Sequence, residues 1–483
     1  MQTHDRLFIG GDWAAPSSSA TIDVVSPHTE EVIARVPEAK EADVDRAVAA
    51  ARGAFDDGPW PRMTPGERAD VLAGLMAQLG GRSEELATTI TREMGSPISF
   101  SIMGQVMTSL GVLEFYVRLA REYPFEEQRA GMLGPVLVRG EPVGVAGCIV
   151  PWNAPLLVTV LKVAPALVAG ATVVLKPAPE TPLDAIIFAE ALQAAGLPKG
   201  VVNIVPAGRE VGEHLVRHPS VDKIAFTGST AAGRRIASIC GEQLKRVTLE
   251  LGGKSAAIIL DDADLSSTLS GLLPNAFMNS GQACVAQTRI LASRGRYREV
   301  VDALVEMVKA MPVGDPMDSG TMCGPLVAER QRQRVEGYLK IGRDEGATVA
   351  CGGGRPKGLT KGWYVEPTVF ANVNNTMRIA REEIFGPVVA VIPYDDVDDA
   401  VRIANDSDYG LSGSVWGADP EQGLAVARRV RTGTYSVNGF SLDFGSPFGG
   451  FKQSGVGREL GPEGLAAYLE PKSITMPMGY EFH

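Results

Sequence analysis

Three side chains in this sequence of 483 residues have the types that making and breaking an acyl bond requires: the thiol of Cys284, the carboxylate of Glu250 and the amide of Asn153. Cys284 lies in NSGQACVAQTR, where small and polar residues follow a helical segment through Phe277, so its sulfur is expected at an open turn. A cysteine taken alone is more often a buried packing residue, and its neighbours must decide between the two readings. Glu250 ends the strand-like run of RVTLELGGKS, and the two glycines behind it let the backbone turn sharply beside a ligand. A carboxylate at the end of a buried strand fits a general base and a structural salt bridge equally. Asn153, in PWNAP, is either an oxyanion donor or a turn former.

Two further places suit a phosphorylated ligand. Lys176 closes the apolar run ATVVLKP and points out of its sheet toward a ligand or toward solvent. FTGSTAAG sets Gly228, Ser229 and Gly233 between a strand and a helix, where backbone N–H groups and the helix dipole receive phosphate; it serves equally as a plain turn, and no GxGxxG stands in the expected place.

The elements that would position these residues read as an α/β protein. Short strands fill the first 36 residues or so, and amphipathic helices dominate to about residue 120. From Val136 onward strands and helices alternate through RVTLELGG, which calls for a mainly parallel sheet covered by helices, with ligands at the carboxyl ends of its strands. A second α/β unit begins near residue 253. The stretch at about 123–141 and the strand-like C-terminal tail are expected to pair with a neighbouring subunit.

Composition removes several function classes. A formal net charge of −11 argues against a nucleic-acid or anionic-membrane surface. No apolar leader or membrane-spanning run is read from the sequence, so a cytoplasmic address is expected. Cys148, Cys240, Cys284, Cys323 and Cys351 form no CxxC pair and are expected to be free thiols. No metal site is expected, because His214 and His218 are the one helically spaced histidine pair and lack a third ligand nearby.

Taken in order, PWNAP, LKPA, FTGST, LELGGKS, GQAC, EEIFGPV and SPFGGFKQSGVGRE resemble the aldehyde dehydrogenase superfamily over essentially the whole chain. The resemblance implies a Rossmann-like nucleotide-binding domain (1–122 and 142–252), a second α/β catalytic domain (253–452), a return segment (453–468) and a small β oligomerisation extension (123–141 and 469–483). It implies Cys284 as nucleophile, Glu250 as general base, and Asn153 with the Cys284 N–H as oxyanion donors. Lys162 and Glu459 match positions near the cysteine and its proton path. Lys176 matches the ribose-binding lysine, Ser229 the pyrophosphate contact, and Glu383 and Phe385 the residues holding the nicotinamide ribose and facing its ring. Val150, Pro151, Trp152, Pro179, Gly208, Gly212, Phe226, Thr227, Gly228 and Leu251 complete the implied cofactor site.

The implied reaction oxidises an aldehyde to the acid with NAD(P) and passes the acyl group to water, since relatives that use coenzyme A lack the glutamate of LELGGKS. One departure concerns the cofactor. Pro179 stands where many relatives carry a glutamate for the adenosine 2′-hydroxyl, so NAD is favoured over NADP only modestly. Ala154, Leu157, Met278, Phe440, Leu442 and Phe448 match the aldehyde tunnel, and their apolar character suggests a hydrophobic or medium-chain aldehyde. A homodimer or homotetramer is expected. A cysteine esterase would not need Lys176, Ser229, Glu383 and Phe385, and a non-catalytic protein on this fold would be free to lose Cys284 or Glu250.

Overall fold

A computed structural model describes residues 2–482; Met1 and His483, the outer ends of the first and last expected segments, lie outside them. The site depends on two sheets. The first has eight strands in the order Gly455–Val456, Arg246–Glu250, Lys223–Thr227, Val145–Ile149, Thr172–Lys176, Val202–Ile204, Leu7–Ile9 and Asp12–Ala14. Its five central strands are parallel. Strands such as Thr172–Lys176 are buried along their whole length, which a sheet covered on both faces requires of its sequence.

Alternate residues feed two cores. Ala146, Cys148 and Ala225 pack under the helix Pro155–Ala169, whereas Val145, Ile149, Phe226 and Leu249 face the helices Glu41–Asp56 and Thr230–Gln243. The chain runs from Val145–Ile149 outward through Thr172–Lys176 and Val202–Ile204, then returns to place Lys223–Thr227 on the other side. The carboxyl ends of Val145–Ile149 and Lys223–Thr227 therefore flank the point where strand order reverses, the crevice in which such sheets bind ligands.

The second sheet has seven strands, in the order Thr348–Cys351, Thr368–Ala371, Val388–Tyr394, Arg289–Ser293, Ala256–Ile259, Gly413–Trp416 and Ser436–Val437. All its pairings are parallel except that of Thr348–Cys351. A third, antiparallel sheet joins Leu469–Thr475 to Val136–Pro142 and Glu126–Arg129. The C-terminal tail thus finds its partner within its own chain, and the middle strand runs one residue past the expected boundary at 141.

Two further differences from the sequence reading stand out. The strands Gln2–Thr3, Val32–Pro37 and Thr21–Val25 form a small separate sheet that packs on Leu183. The helical stretch Ile98–Glu122, with a mean hydropathy of 1.3, is long and apolar enough to cross a membrane by length and composition, which corrects the expectation that no such run exists. Part of its apolar surface is used inside the fold, since Val112, Leu113 and Tyr116 are buried in the core shared with Pro65–Gly80 and Pro155–Ala169. Turns of the wider π type at Ser101–Met107 interrupt it.

Candidate active site

Cys284 lies on the connection between the short turn Met278–Gly281 and the strand Arg289–Ser293. Asn279, Ser280 and Gly281 hold three successive left-handed conformations, with φ of 52°, 58° and 73°. Such strain is kept only where surroundings impose it. Here Ser280 Oγ donates to Gly324 O at 3.0 Å, Gln282 Oε1 accepts from Val327 N at 3.0 Å, and a Cβ on Gly281 would stand 2.1 Å from Gly386 O. On the other flank a Cβ on Gly253 would lie 2.4 Å from Cys284 O. The loop carrying the thiol is clamped from both sides.

Asn153, just beyond Val145–Ile149, reaches the same loop from the first sheet: its Nδ2 donates to Gln282 O at 3.0 Å, and Asn279 Nδ2 donates to Asn153 O at 2.8 Å. One N–H of the Asn153 amide is occupied in this way, leaving the other for an oxyanion. The Cys284 N–H makes no backbone hydrogen bond among the described residues.

Glu250 ends Arg246–Glu250, in register with Thr227 on one side and Gly455 on the other. It is only 3% exposed, and its Oε1 has no hydrogen-bond partner among the described residues. Burial, reinforced by the Glu459 charge, pushes its carboxyl well above the ordinary range. The Cys284 thiol is also pushed well up, by burial first and then by the charges of Glu250 and Glu383, while the N–H groups of Cys284 and Val285 act in the opposite direction. Glu250, which is not among the residues lining the cleft, thus presents a buried carboxyl with an unpartnered oxygen whose charge acts on the Cys284 thiol.

Lys162 and Glu459 do not line the cleft. They form a fully buried ion pair under the first sheet, where Lys162 Nζ also donates to Thr227 Oγ1 at 2.7 Å, beside Glu250. Val150 and Phe226 do not line the cleft either; both are buried, in the cores on opposite faces of the first sheet.

The cleft is a cavity of about 380 Å³ that brings together Pro151, Trp152, Asn153, Thr227, Gly228, Ser229, Leu251, Cys284, Glu383 and Phe385. Ser229 caps the helix Thr230–Gln243 by accepting from Ala232 N at 3.3 Å. Glu383 Oε1 accepts from Gly253 N at 3.0 Å, and burial raises its carboxyl to about 7. Trp152 and Phe385 meet edge to face, with centroids 5.4 Å apart.

Lys176 is buried rather than solvent-facing. Its ammonium donates to Pro177 O at 3.0 Å and Ala207 O at 2.7 Å and has no ion-pair partner among the described residues, and burial lowers its pKa to about 8. A Cβ on Gly212 would stand 3.3 Å from the Lys176 side chain. Gly208, at the start of the helix Arg209–Arg217, opens on an adjoining groove, and Arg209 lines both groove and cleft. A strand-end lysine, a capped helix N-terminus on the wall of the cleft that holds the thiol, and a groove that meets this cleft at Arg209 fit a nicotinamide dinucleotide.

Among the tunnel residues, Ala154, Leu157, Leu442 and Phe448 join Cys284 in one apolar cluster; Met278 and Phe440 are half-buried and lie outside it. Sequence reasoning missed Arg209, Arg330, Gln331 and Arg334, whereas Gly252, one of the two glycines expected beside a ligand, does line the cleft. Gln331 Nε2 donates to Phe385 O at 2.6 Å and Arg334 Nη2 to Glu383 O at 2.5 Å, so the helix Glu329–Asp344 fixes the loop bearing those two residues. Its signal in sequence is the polar run ERQRQR, which reads as a solvated face.

Comparisons with known proteins agree with this geometry. The model of the aldehyde dehydrogenase family matches residues 13–474. Geranial dehydrogenase of Castellaniella defragrans is 47% identical, covering 98% of this chain and 99% of its own. The crystal structure of a Mycobacterium tuberculosis aldehyde dehydrogenase complexed with NAD+ is 50% identical, with a TM-score of 0.98 over 100% of both chains. A mutant of aldehyde dehydrogenase C from Pseudomonas syringae, solved with NAD+ and octanal, is 44% identical, with a TM-score of 0.95 over 98% of this chain and 96% of that one. With sequence, fold and cleft in agreement along nearly its whole length, the chain belongs to the aldehyde dehydrogenase family.

Proposed function

We propose that this enzyme, which oxidises an aldehyde to a carboxylic acid with NAD, does so through a covalent adduct on Cys284 that Glu250 resolves with water. The observation that carries this reading is the buried, unpartnered Oε1 of Glu250, a carboxyl whose charge acts on the Cys284 thiol. When bound, NAD supplies a cationic ring that favours the thiolate and accepts the hydride. The Cys284 sulfur adds to the carbonyl carbon, and the resulting oxyanion takes hydrogen bonds from Asn153 Nδ2 and the Cys284 N–H. Loss of hydride leaves a thioester on the sulfur. Glu250 then takes a proton from water, the new C–O bond forms, and the C–S bond breaks to return the thiolate and the acid. The buried pair Lys162–Glu459 stands behind Glu250 and sets its charge balance.

Lys176, Gly208 and Gly212 are assigned to the adenosine end of the cofactor, Ser229 with its helix to the pyrophosphate, and Glu383 with Phe385 to the nicotinamide end. The substrate is assigned as an apolar, medium-sized aldehyde, on the apolar cluster around Cys284 and on relatives named for geranial and solved with octanal. The protein is assigned as a soluble, cytoplasmic homo-oligomer. A panel of aldehydes read by NADH absorbance tests the substrate class: octanal and geranial should give the highest kcat/KM, and a panel led by succinic semialdehyde would contradict it.

A further inference from the structure

Pro179 leaves the adenosine end without the carboxylate that many relatives place after the lysine, yet another carboxylate stands close by. Glu38 sits between the strand Val32–Pro37 and the helix Glu41–Asp56, and its segment is tied to the Gly208 loop by a hydrogen bond from Ala39 N to Pro206 O at 2.9 Å. Its Oε1 lies 3.7 Å from where a Cβ on Gly208 would stand. Lys176 reaches the neighbouring residue of the same loop, donating to Ala207 O at 2.7 Å. Glu38 and Lys176 therefore touch adjacent residues, Gly208 and Ala207.

We propose that Glu38 is the residue that selects NAD over a cofactor phosphorylated at the adenosine 2′ position. The proposal rests on the assignment of Lys176, Gly208 and Gly212 to the adenosine end. A carboxylate accepts hydrogen bonds from a ribose hydroxyl and repels a phosphate dianion in the same place.

Carboxylates outnumber cations in the surrounding groove. The groove is lined by the carboxylates Glu38, Glu41 and Glu210 against the cations Lys40 and Arg209. Lys40 is already paired with Glu38. Arg330, a cation on the cleft wall that could attract a phosphate, is engaged by Glu180, the carboxylate one place beyond Pro179. Pro179 itself supplies no charge of either sign. The choice of cofactor thus depends on a residue about 140 positions before the lysine, a preference stronger than Pro179 alone suggests.

The test titrates the full-length enzyme calorimetrically with adenosine monophosphate, with the same nucleotide carrying a 2′-phosphate, and with NAD and NADP. Glu38→Gln keeps the shape of the side chain, removes its charge and frees Lys40. In the unmodified enzyme the 2′-phosphorylated probe should bind at least about tenfold more weakly than adenosine monophosphate, and Glu38→Gln should close that gap about tenfold, mostly through tighter binding of the phosphorylated probe. Lys176→Met should weaken both probes together. If Lys176→Met weakens both while Glu38→Gln leaves their ratio within about twofold, the Glu38 proposal is overturned and the adenosine site stands. If neither substitution alters binding of either probe, the adenosine assignment fails, and the proposal fails with it.

Discussion

At the scale of single residues, the site retains polar groups that cost stability. A buried oxygen without a partner, such as Glu250 Oε1, costs about 1–3 kcal/mol, a cost that the proposed role of Glu250 as proton acceptor would account for. Asn153→Ala removes one oxyanion donor along with the bond to Gln282 O, and it should lower kcat about 10²- to 10³-fold with a much smaller change in KM. Steady-state kinetics with octanal check this. Lys176 gives a pH prediction. Burial lowers its pKa from 10.5 to about 8, so between those values the unfolded chain holds a proton that the folded chain has released, and its contribution to stability rises with pH across that window. Lys176→Met should flatten the rise of unfolding free energy from pH 8 to 10.5, measured by urea titration, and Lys223, lowered to about 8 by burial, should preserve part of it. Glu250 and Asn153 stood out as candidates in the sequence because each ends or follows an apolar strand, and Cys284 because small and polar residues surround it after a helical segment. Gln331 and Arg334 did not, because they reach backbone carbonyls of a distant loop, and Arg330 did not, because its partner Glu180 lies 150 residues away; nothing in ERQRQR names those partners.

At the scale of elements, the two parallel sheets were readable because strands buried on both faces leave uninterrupted apolar runs such as TVVLK and AAII. The left-handed turn before the nucleophile was not, since Asn279 and Ser280 carry no local signal for positive φ comparable to a glycine's. That turn aims Cys284, which leads to a prediction. Gly281→Ala would place a methyl 2.1 Å from Gly386 O at a φ of 73°; backbone strain alone should cost about 1–3 kcal/mol, and relief of the clash should displace the thiol. A lowered Tm, together with slower alkylation of Cys284 by iodoacetamide in the folded protein, checks it. An unchanged rate of alkylation would mean that the turn does not orient the sulfur.

At the scale of the whole molecule, the antiparallel sheet of Glu126–Arg129, Val136–Pro142 and Leu469–Thr475 stands apart from the two large sheets and carries unusual apolar exposure. Met132 is 92% exposed, Leu133 75% and Met478 79%, and the hairpin tip meets the tail where Gly134 approaches Met476 O. Its outer strand, EEQR, is charged and exposed throughout, which protects it from indiscriminate strand pairing. Light scattering should therefore give a mass at least twice the 51.1 kDa of one chain, and replacing Met132 and Leu133 together with Asp should shift the population toward the single-chain mass. The sequence pointed to these segments as an interface, but not to the pairing of the tail with its own chain, because strand partners 330 residues apart leave no local trace.

The nucleophilic role of Cys284, with Glu250 releasing the acyl group, is tested most directly by trapping the intermediate. Glu250→Gln enzyme mixed with NAD and octanal should produce about one NADH per active site and then stall. Peptide mass spectrometry of the quenched protein should find one octanoyl group, on Cys284. Undiminished turnover by Glu250→Gln, an acyl group on another residue, or an active Cys284→Ala enzyme would contradict the account.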